Sequence, residues 1–344
     1  MIKLLRNSLI LMFAVSVGIV AQPTEGLSLY LVSSRGKAGF MDKTRKIVVA
    51  LTFDSNRYML GEFSEGLAEF TDMSALSKHP FSKAGYIDQR GRIIIKPQFD
   101  VAYDFSNGRA LIKIGDLQSF IDTSGQQIIK LGPYQAGRSF REGLAAIHSN
   151  FEFWYVDRDG KVVIPKRQGL PKDFSEGLAC VYLRVEGKLK GDYIDRTGET
   201  KIQPQYDECF DFSEGLAVVK VAEKFGYIDK VGKPVVPARY KSAYEFSDGR
   251  ARVSTGDKDG FIDTVGNLVI PEKFDTGTWG FSEGVAPACE KGVCGYIDTT
   301  GRYVIPPKFN SAFSFKNGIA SVLLTNYRNA YIDKKGHIIW QEIR

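Results

Sequence analysis

From Leu27 onward, short apolar runs alternate with lone glycines and polar clusters, and no run is long enough to read as a helix. Leu216-Ala217-Val218-Val219-Lys220-Val221 is a representative run, short and β-branched, and it predicts a strand. Ala222-Glu223-Lys224 makes a tight connection to a second strand, Phe225-Gly226-Tyr227-Ile228-Asp229. Lys230-Val231-Gly232 turns the chain into a third strand, Lys233-Pro234-Val235-Val236. Pro237 ends that strand, because proline lacks the N–H that a continuing ladder needs. The segment from Ala238 to Ser247 crosses to the next unit, and Asp248-Gly249 turns into its first strand.

This pattern returns down the chain. The phrase Phe-Ser-Glu-Gly, or a close variant, occurs at Phe63–Gly66, Phe105–Gly108, Phe140–Gly143, Phe174–Gly177, Phe212–Gly215, Phe246–Gly249, Phe281–Gly284 and Phe315–Gly318. The glycines are 42, 35, 34, 38, 34, 35 and 34 residues apart, and a period of this size marks a repeat array. A second phrase, aromatic–aliphatic–Asp, recurs from Phe40-Met41-Asp42 to Tyr331-Ile332-Asp333. A glycine follows three residues after each Asp except the first, where Arg45 stands instead. The expectation is an all-β chain of about nine three-stranded antiparallel meanders, forming one repeat domain over residues 22–344. Starting from Leu27 the strands group as nine triplets with none left over, which favours an open, twisted, solenoid-like array. The alternative is a closed β-propeller, which gains if the connector forms a fourth short strand.

The recurring polar positions read as turn chemistry. Each Asp can accept backbone N–H groups within its hairpin turn, and Gly takes the positive-φ place. A ladder of carboxylates could instead hold calcium. That ion needs several oxygens converging on one point, whereas each unit offers one regular Asp, so no metal and no other cofactor is expected. The recurring aromatics are the expected core. Trp154 and Trp279 break the pattern: Trp154 replaces a glycine found in five other units, and Trp279 lies in a connector. Off-pattern aromatics are expected to be exposed, so these two are the candidate binding residues. Trp340 in the last strand reads as a cap. The longer inserts Asp72 to Lys83 and Glu186 to Gly191 mark variable loops.

Residues 1–21 differ from the rest. Lys3 and Arg6 precede an apolar run from Leu9 to Val20, and Ile19-Val20-Ala21 suits cleavage before Gln22. This is a signal-peptide pattern, too short for a comfortable membrane span. An uncleaved anchor is the alternative. Removing Lys3 and Arg6 takes the net charge from +6 to +4, with no basic run, so nucleic acid is not an expected partner. In an exported chain disulfides are allowed. Cys289 and Cys294 flank a hairpin tip at bridging distance, whereas Cys180 and Cys209 fall where other units carry small buried residues.

The run Gly226-Tyr227-Ile228-Asp229-x-x-Gly232, with Val235-Val236-Pro237 and Phe246-x-x-Gly249-x-Ala251-x-Val253, resembles the WG-repeat (KWG) proteins of bacteria over roughly residues 28–344. The Trp of the family signature is mostly Tyr or Phe here. The resemblance implies no catalytic residues. Its strand–turn phrase is also similar to that of cell-wall-binding repeats, which implies a binding role at the cell surface.

These readings converge on an exported, non-enzymatic binding or scaffold module, in the periplasm, at the cell surface or secreted. It is expected to hold a protein or a cell-envelope polysaccharide and to carry no integral span once the signal is removed. The alternatives are a hydrolase with its site at a propeller-like centre and a purely structural envelope component. The chain carries no Gly-x-Ser-x-Gly elbow, no His-x-x-x-His and no phosphate-binding Gly loop.

Overall fold

The computed structural model describes residues 28–74, 82–275 and 279–343. The segment expected to be a signal peptide and most of the insert after Asp72 lie outside these residues. In the sixth unit, Leu216–Val221, Lys224–Asp229 and Pro234–Tyr240 correspond to the three predicted strands, but the third runs on through Pro237, so the expected stop there is corrected. The connector is a strand as well. Glu208–Ser213 pairs antiparallel with Leu216–Val221 and makes the unit four-stranded. A β-bulge between Cys209 and Phe212 sets two residues, Phe210 and Asp211, against the single Val218 of the partner strand. The bulge breaks the period-two alternation that identifies a strand by eye.

The described strands form eight hydrogen-bonded sheets. Units one to seven each form one sheet. Units eight and nine run into one another along Tyr303–Ala312 and share a six-stranded sheet. The first strands converge: Leu170–Ser175 approaches Glu208–Ser213, which approaches Ser242–Ser247. In the four-stranded sheets the fourth strand lies at the opposite edge. This is the radial order of a propeller, with first strands around the centre and fourth strands on the outside.

Each unit is laced to the next by its Phe-Ser-Glu-Gly phrase. Phe212 packs edge-to-face on Tyr193 of the preceding unit, with centroids 5.0 Å apart. Ser213 Oγ donates to the Phe246 carbonyl of the following unit at 2.8 Å. The Glu214 carboxylate accepts the Gly249 N–H at 2.9 Å. Glu214 at φ 54° and Gly215 at φ 81° supply the two left-handed residues of a tight hairpin turn. The aromatic of the third strand completes the link: the Tyr193 hydroxyl donates to the Phe210 carbonyl at 2.7 Å.

The chain ends meet. The Tyr331 hydroxyl of unit nine donates to the Leu31 carbonyl of unit one at 2.9 Å, and the Tyr30 hydroxyl donates to the Lys316 carbonyl at 3.0 Å. The Arg35 N–H donates to the Ile343 carbonyl at 3.2 Å. Tyr30, Val32, Met41 and Ile319 bury one shared cluster. The ring is therefore closed, and the expectation of an open solenoid-like array is corrected to a β-propeller. The triplet count misled because the strand that closes each blade lay hidden in the connector.

Candidate functional site

The first strands line the centre of the ring. The residue two places before each Phe of the repeat phrase is Gly61, Tyr103, Arg138, Lys172, Phe210, Tyr244, Trp279 and Phe313 in turn. Four of these aromatics are well exposed: Tyr103 at 45%, Tyr244 at 45%, Trp279 at 54% and Phe313 at 44%. Trp279 and Phe313 stand in adjacent units, with ring centroids 6.1 Å apart and planes tilted by 41°. Trp279 is thus one member of a recurring rim rather than an isolated exception. It leads to residues that sequence reasoning missed: Tyr103, Phe210, Tyr244 and Phe313 share its place once the connectors are aligned on their Phe.

The next residue is often acidic: Glu62, Asp104, Asp173, Asp211 and Glu245. Arg138 Nε pairs with Asp173 Oδ1 across two units at 2.6 Å. Lys172 Nζ donates to the Cys209 carbonyl at 2.6 Å and lies 4.6 Å from the Phe210 ring centroid. The Arg252 guanidinium covers Tyr244 at 3.5 Å and pairs with the buried Asp259 at 2.7 Å. Burial pushes the Asp211 carboxyl above the usual range; Asp173 adds to the rise, while Lys172 and Arg138 oppose it. Glu245 is raised by burial and by Asp211, and Lys172 is lowered by burial. Residues of four successive units feel one another's charge because their strands converge on one axis. The arrangement offers flat aromatic faces beside carboxylates and cations, which suits the recognition of a mixed polar and apolar surface.

Trp154 lies elsewhere. It is only 8% exposed and sits in a core cluster with Phe120, Phe140 and Ile147, so the expectation of an exposed contact residue is corrected. In most units the glycine at this place faces extra residues in the fourth strand. A Cβ on Gly85 would come within 2.3 Å of the Ile95 carbonyl oxygen. There the register steps from Ala84↔Phe99 to Tyr86↔Ile95. In unit four it steps from Phe153↔Arg167 to Tyr155↔Ile164, one residue fewer, and the indole takes that room.

The turn aspartates face their own backbone. Asp88 Oδ1 accepts the N–H groups of Arg90 and Arg92, both at 2.9 Å, and Asp229 and Asp298 repeat the pattern. Two disulfides are present. Cys289 and Cys294 are direct cross-strand partners joined through sulfur. Cys180 and Cys209 join unit five to unit six, a pairing that spacing could not reveal because it links two different sheets.

A closed ring of meanders with an aromatic, charge-studded centre defines a repeat-built β-propeller. The chain belongs to the WG containing repeat family, whose model matches residues 39–71, 85–117, 119–148, 193–225, 225–258, 260–294 and 295–327. The fold is similar to a crystal structure of a eukaryotic initiation factor, with a TM-score of 0.66 at 12% identity, over 93% of this chain and 96% of that one. Looser similarity extends to the computationally designed Ika8 protein, with a TM-score of 0.48 at 14% identity over 91% and 98% of the two chains. BamB from Moraxella catarrhalis gives a TM-score of 0.46 at 11% identity over 90% and 92%. No curated protein matches this chain in sequence.

Proposed function

We propose that this chain is an exported, non-catalytic scaffold that binds a protein partner on the inner-strand rim of its propeller. The observation that carries the reading is the exposure of Tyr103, Tyr244, Trp279 and Phe313 at one repeated place around the ring. Exposed aromatics ringed by polar groups are the usual anchors of a protein interface. The non-catalytic reading rests on the recurring polar groups having structural work already. The turn aspartates hold backbone N–H groups, the glutamates of the repeat phrase hold the next unit, and the tyrosine hydroxyls hold the next first strand. Export is supported by the two disulfides, which persist in oxidising compartments.

Affinity capture from envelope extracts tests the reading, with Trp279→Ala/Phe313→Ala as the control chain. The expected result is a retained protein whose binding falls at least about tenfold in the double variant. Retention of a polysaccharide in place of a protein, or a protein held equally by both chains, would contradict it.

A further inference from the structure

The rim treats its rings in two ways. In units six and seven a cation of the chain covers the ring: Lys172 Nζ lies 4.6 Å from the Phe210 centroid, and the Arg252 guanidinium lies 3.5 Å from that of Tyr244. Lys172 comes from the inner strand of the preceding unit, and Arg252 from the second strand of the same unit. Both cations are held from behind, by the Cys209 carbonyl and the Asp259 carboxylate. A ring face attracts a cation through its quadrupole, and the attraction grows where water is excluded.

Units eight and nine present rings without that cover. Tyr244 and Trp279 precede Trp279 and Phe313 around the rim, at the place from which Lys172 reaches Phe210. Pro287 and Ser321 occupy the place of Arg252, because they oppose Tyr296 and Tyr331 as Arg252 opposes Phe261. Neither place supplies a cation, and among the described residues none lies over Trp279 or Phe313. Both rings are instead exposed. The carboxylate of the adjoining unit is open as well. Glu245 is exposed and makes no hydrogen bond or ion pair among the described residues, and Asp211 beyond it adds negative charge. Bare ring faces beside an unpaired carboxylate are complementary to a cation, not to an anion.

We propose that the partner supplies the missing cation: a basic segment whose arginine lays its guanidinium on Trp279 and Phe313, on the side of Glu245. This rests on the reading of the rim as the partner's seat, and it names what that partner carries there. Arginine suits the place better than lysine. Its planar head stacks on a ring and still turns N–H donors toward a carboxylate. Arg252 already shows the arrangement, lying on Tyr244 while its Nη1 donates to Asp259. An apolar residue beside the arginine covers the ring surface that the guanidinium leaves bare.

The test uses the full chain and two labelled synthetic peptides, Leu-Arg-Leu-Arg-Leu and the same sequence with citrulline at both arginines. Citrulline keeps the shape of the planar head and carries no charge. By fluorescence anisotropy, the arginine peptide is expected to bind the wild-type chain about tenfold more tightly than the citrulline peptide. Trp279→Leu/Phe313→Leu keeps an apolar surface and removes the rings, and should shrink that advantage to less than about threefold. Glu245→Gln should shrink it about twofold. If the leucine variant does not fold, Glu245→Gln and the two peptides on the wild-type chain still decide. Equal binding of the two peptides, no binding of either, or an advantage that survives loss of both rings would overturn the proposal. The captured partner separates this inference from the reading beneath it. A partner lost on Trp279→Ala/Phe313→Ala but held in full by Trp279→Leu/Phe313→Leu would leave the rim standing and remove the cation. A partner held equally by the wild-type chain and the alanine variant would remove both.

Discussion

Units six and one share a hairpin register yet hold their places in the ring by different means. In unit six, Phe212 enters a pocket over Ala217, Ser213 reaches forward to the next unit, and the Gly215 N–H is held by Glu176 of the preceding one at 3.0 Å. In unit one, Tyr30 supplies the ring, Lys316 supplies the reach, and Ile343 supplies a backbone contact from the opposite terminus. The filled aromatic pocket is common to both, whereas among the described residues only unit six has an inner strand. Blade-to-blade packing in this propeller therefore depends on a buried ring at each junction, and the lacing bonds around it can be exchanged.

Breaking the shared element should have the largest effect. Phe212→Ala leaves a cavity beside Tyr193, and a loss of about 3–5 kcal/mol in denaturant unfolding is expected. A loss below about 1 kcal/mol would mean that the pocket is not what holds neighbouring units together.

The two disulfides sharpen the comparison next. Cys180–Cys209 joins two units across 29 residues of sequence, whereas Cys289–Cys294 closes one hairpin across 5. By loop-closure entropy, replacing the first pair with alanine should cost about 3–4 kcal/mol and the second about 2. Thermal unfolding of the two double variants reads the order, and the reverse order would show that the inter-unit bridge adds little to what packing already fixes.

A smaller, pH-dependent effect is expected at Asp192, which occupies the glycine place of unit five. The side chain is fully buried, its Oδ2 accepts a long 3.3 Å bond from Thr200, and Oδ1 has no partner. Burial raises its carboxyl to about 6. A raised acid favours the protonated folded form, so the cost appears as pH climbs through the unfolded value near 4 and is complete above about 6. Asp192→Asn should therefore stabilise the chain at pH 7.5 by up to about 3 kcal/mol, with the gain vanishing below pH 4. A gain independent of pH would rule out ionisation as its source. Smallest of all, Tyr30→Phe keeps the ring at the seam and removes one hydroxyl, for a loss of about 1 kcal/mol in the same unfolding assay.

What could be read from the chain alone follows from where its signals reside. The core Phe, the turn Asp and the glycines announce themselves because each acts within one unit at a fixed spacing. The inner strand did not, since the bulge at Phe210-Asp211 interrupts its alternation. Ring closure hinges on Tyr30, Lys316 and Ile343, three single residues that depart from a repeat and carry no pattern of their own. Trp154 looked exposed because its burial depends on one residue being absent from the opposing strand. Trp279 was noticed as an oddity, yet its neighbours on the rim emerge only when inner strands from different units are set side by side.

The most direct test of the closed ring is a disulfide placed across the seam. Ser34 and Ile343 form a parallel bridge, so cysteines at these two places would stand side by side across the seam. The chain carrying Ser34→Cys and Ile343→Cys should oxidise to a monomer bearing one new intramolecular bond, seen by non-reducing electrophoresis and peptide mass mapping. Two free thiols after oxidation, or bonds formed only between chains, would mean that the termini do not meet and that the array is open.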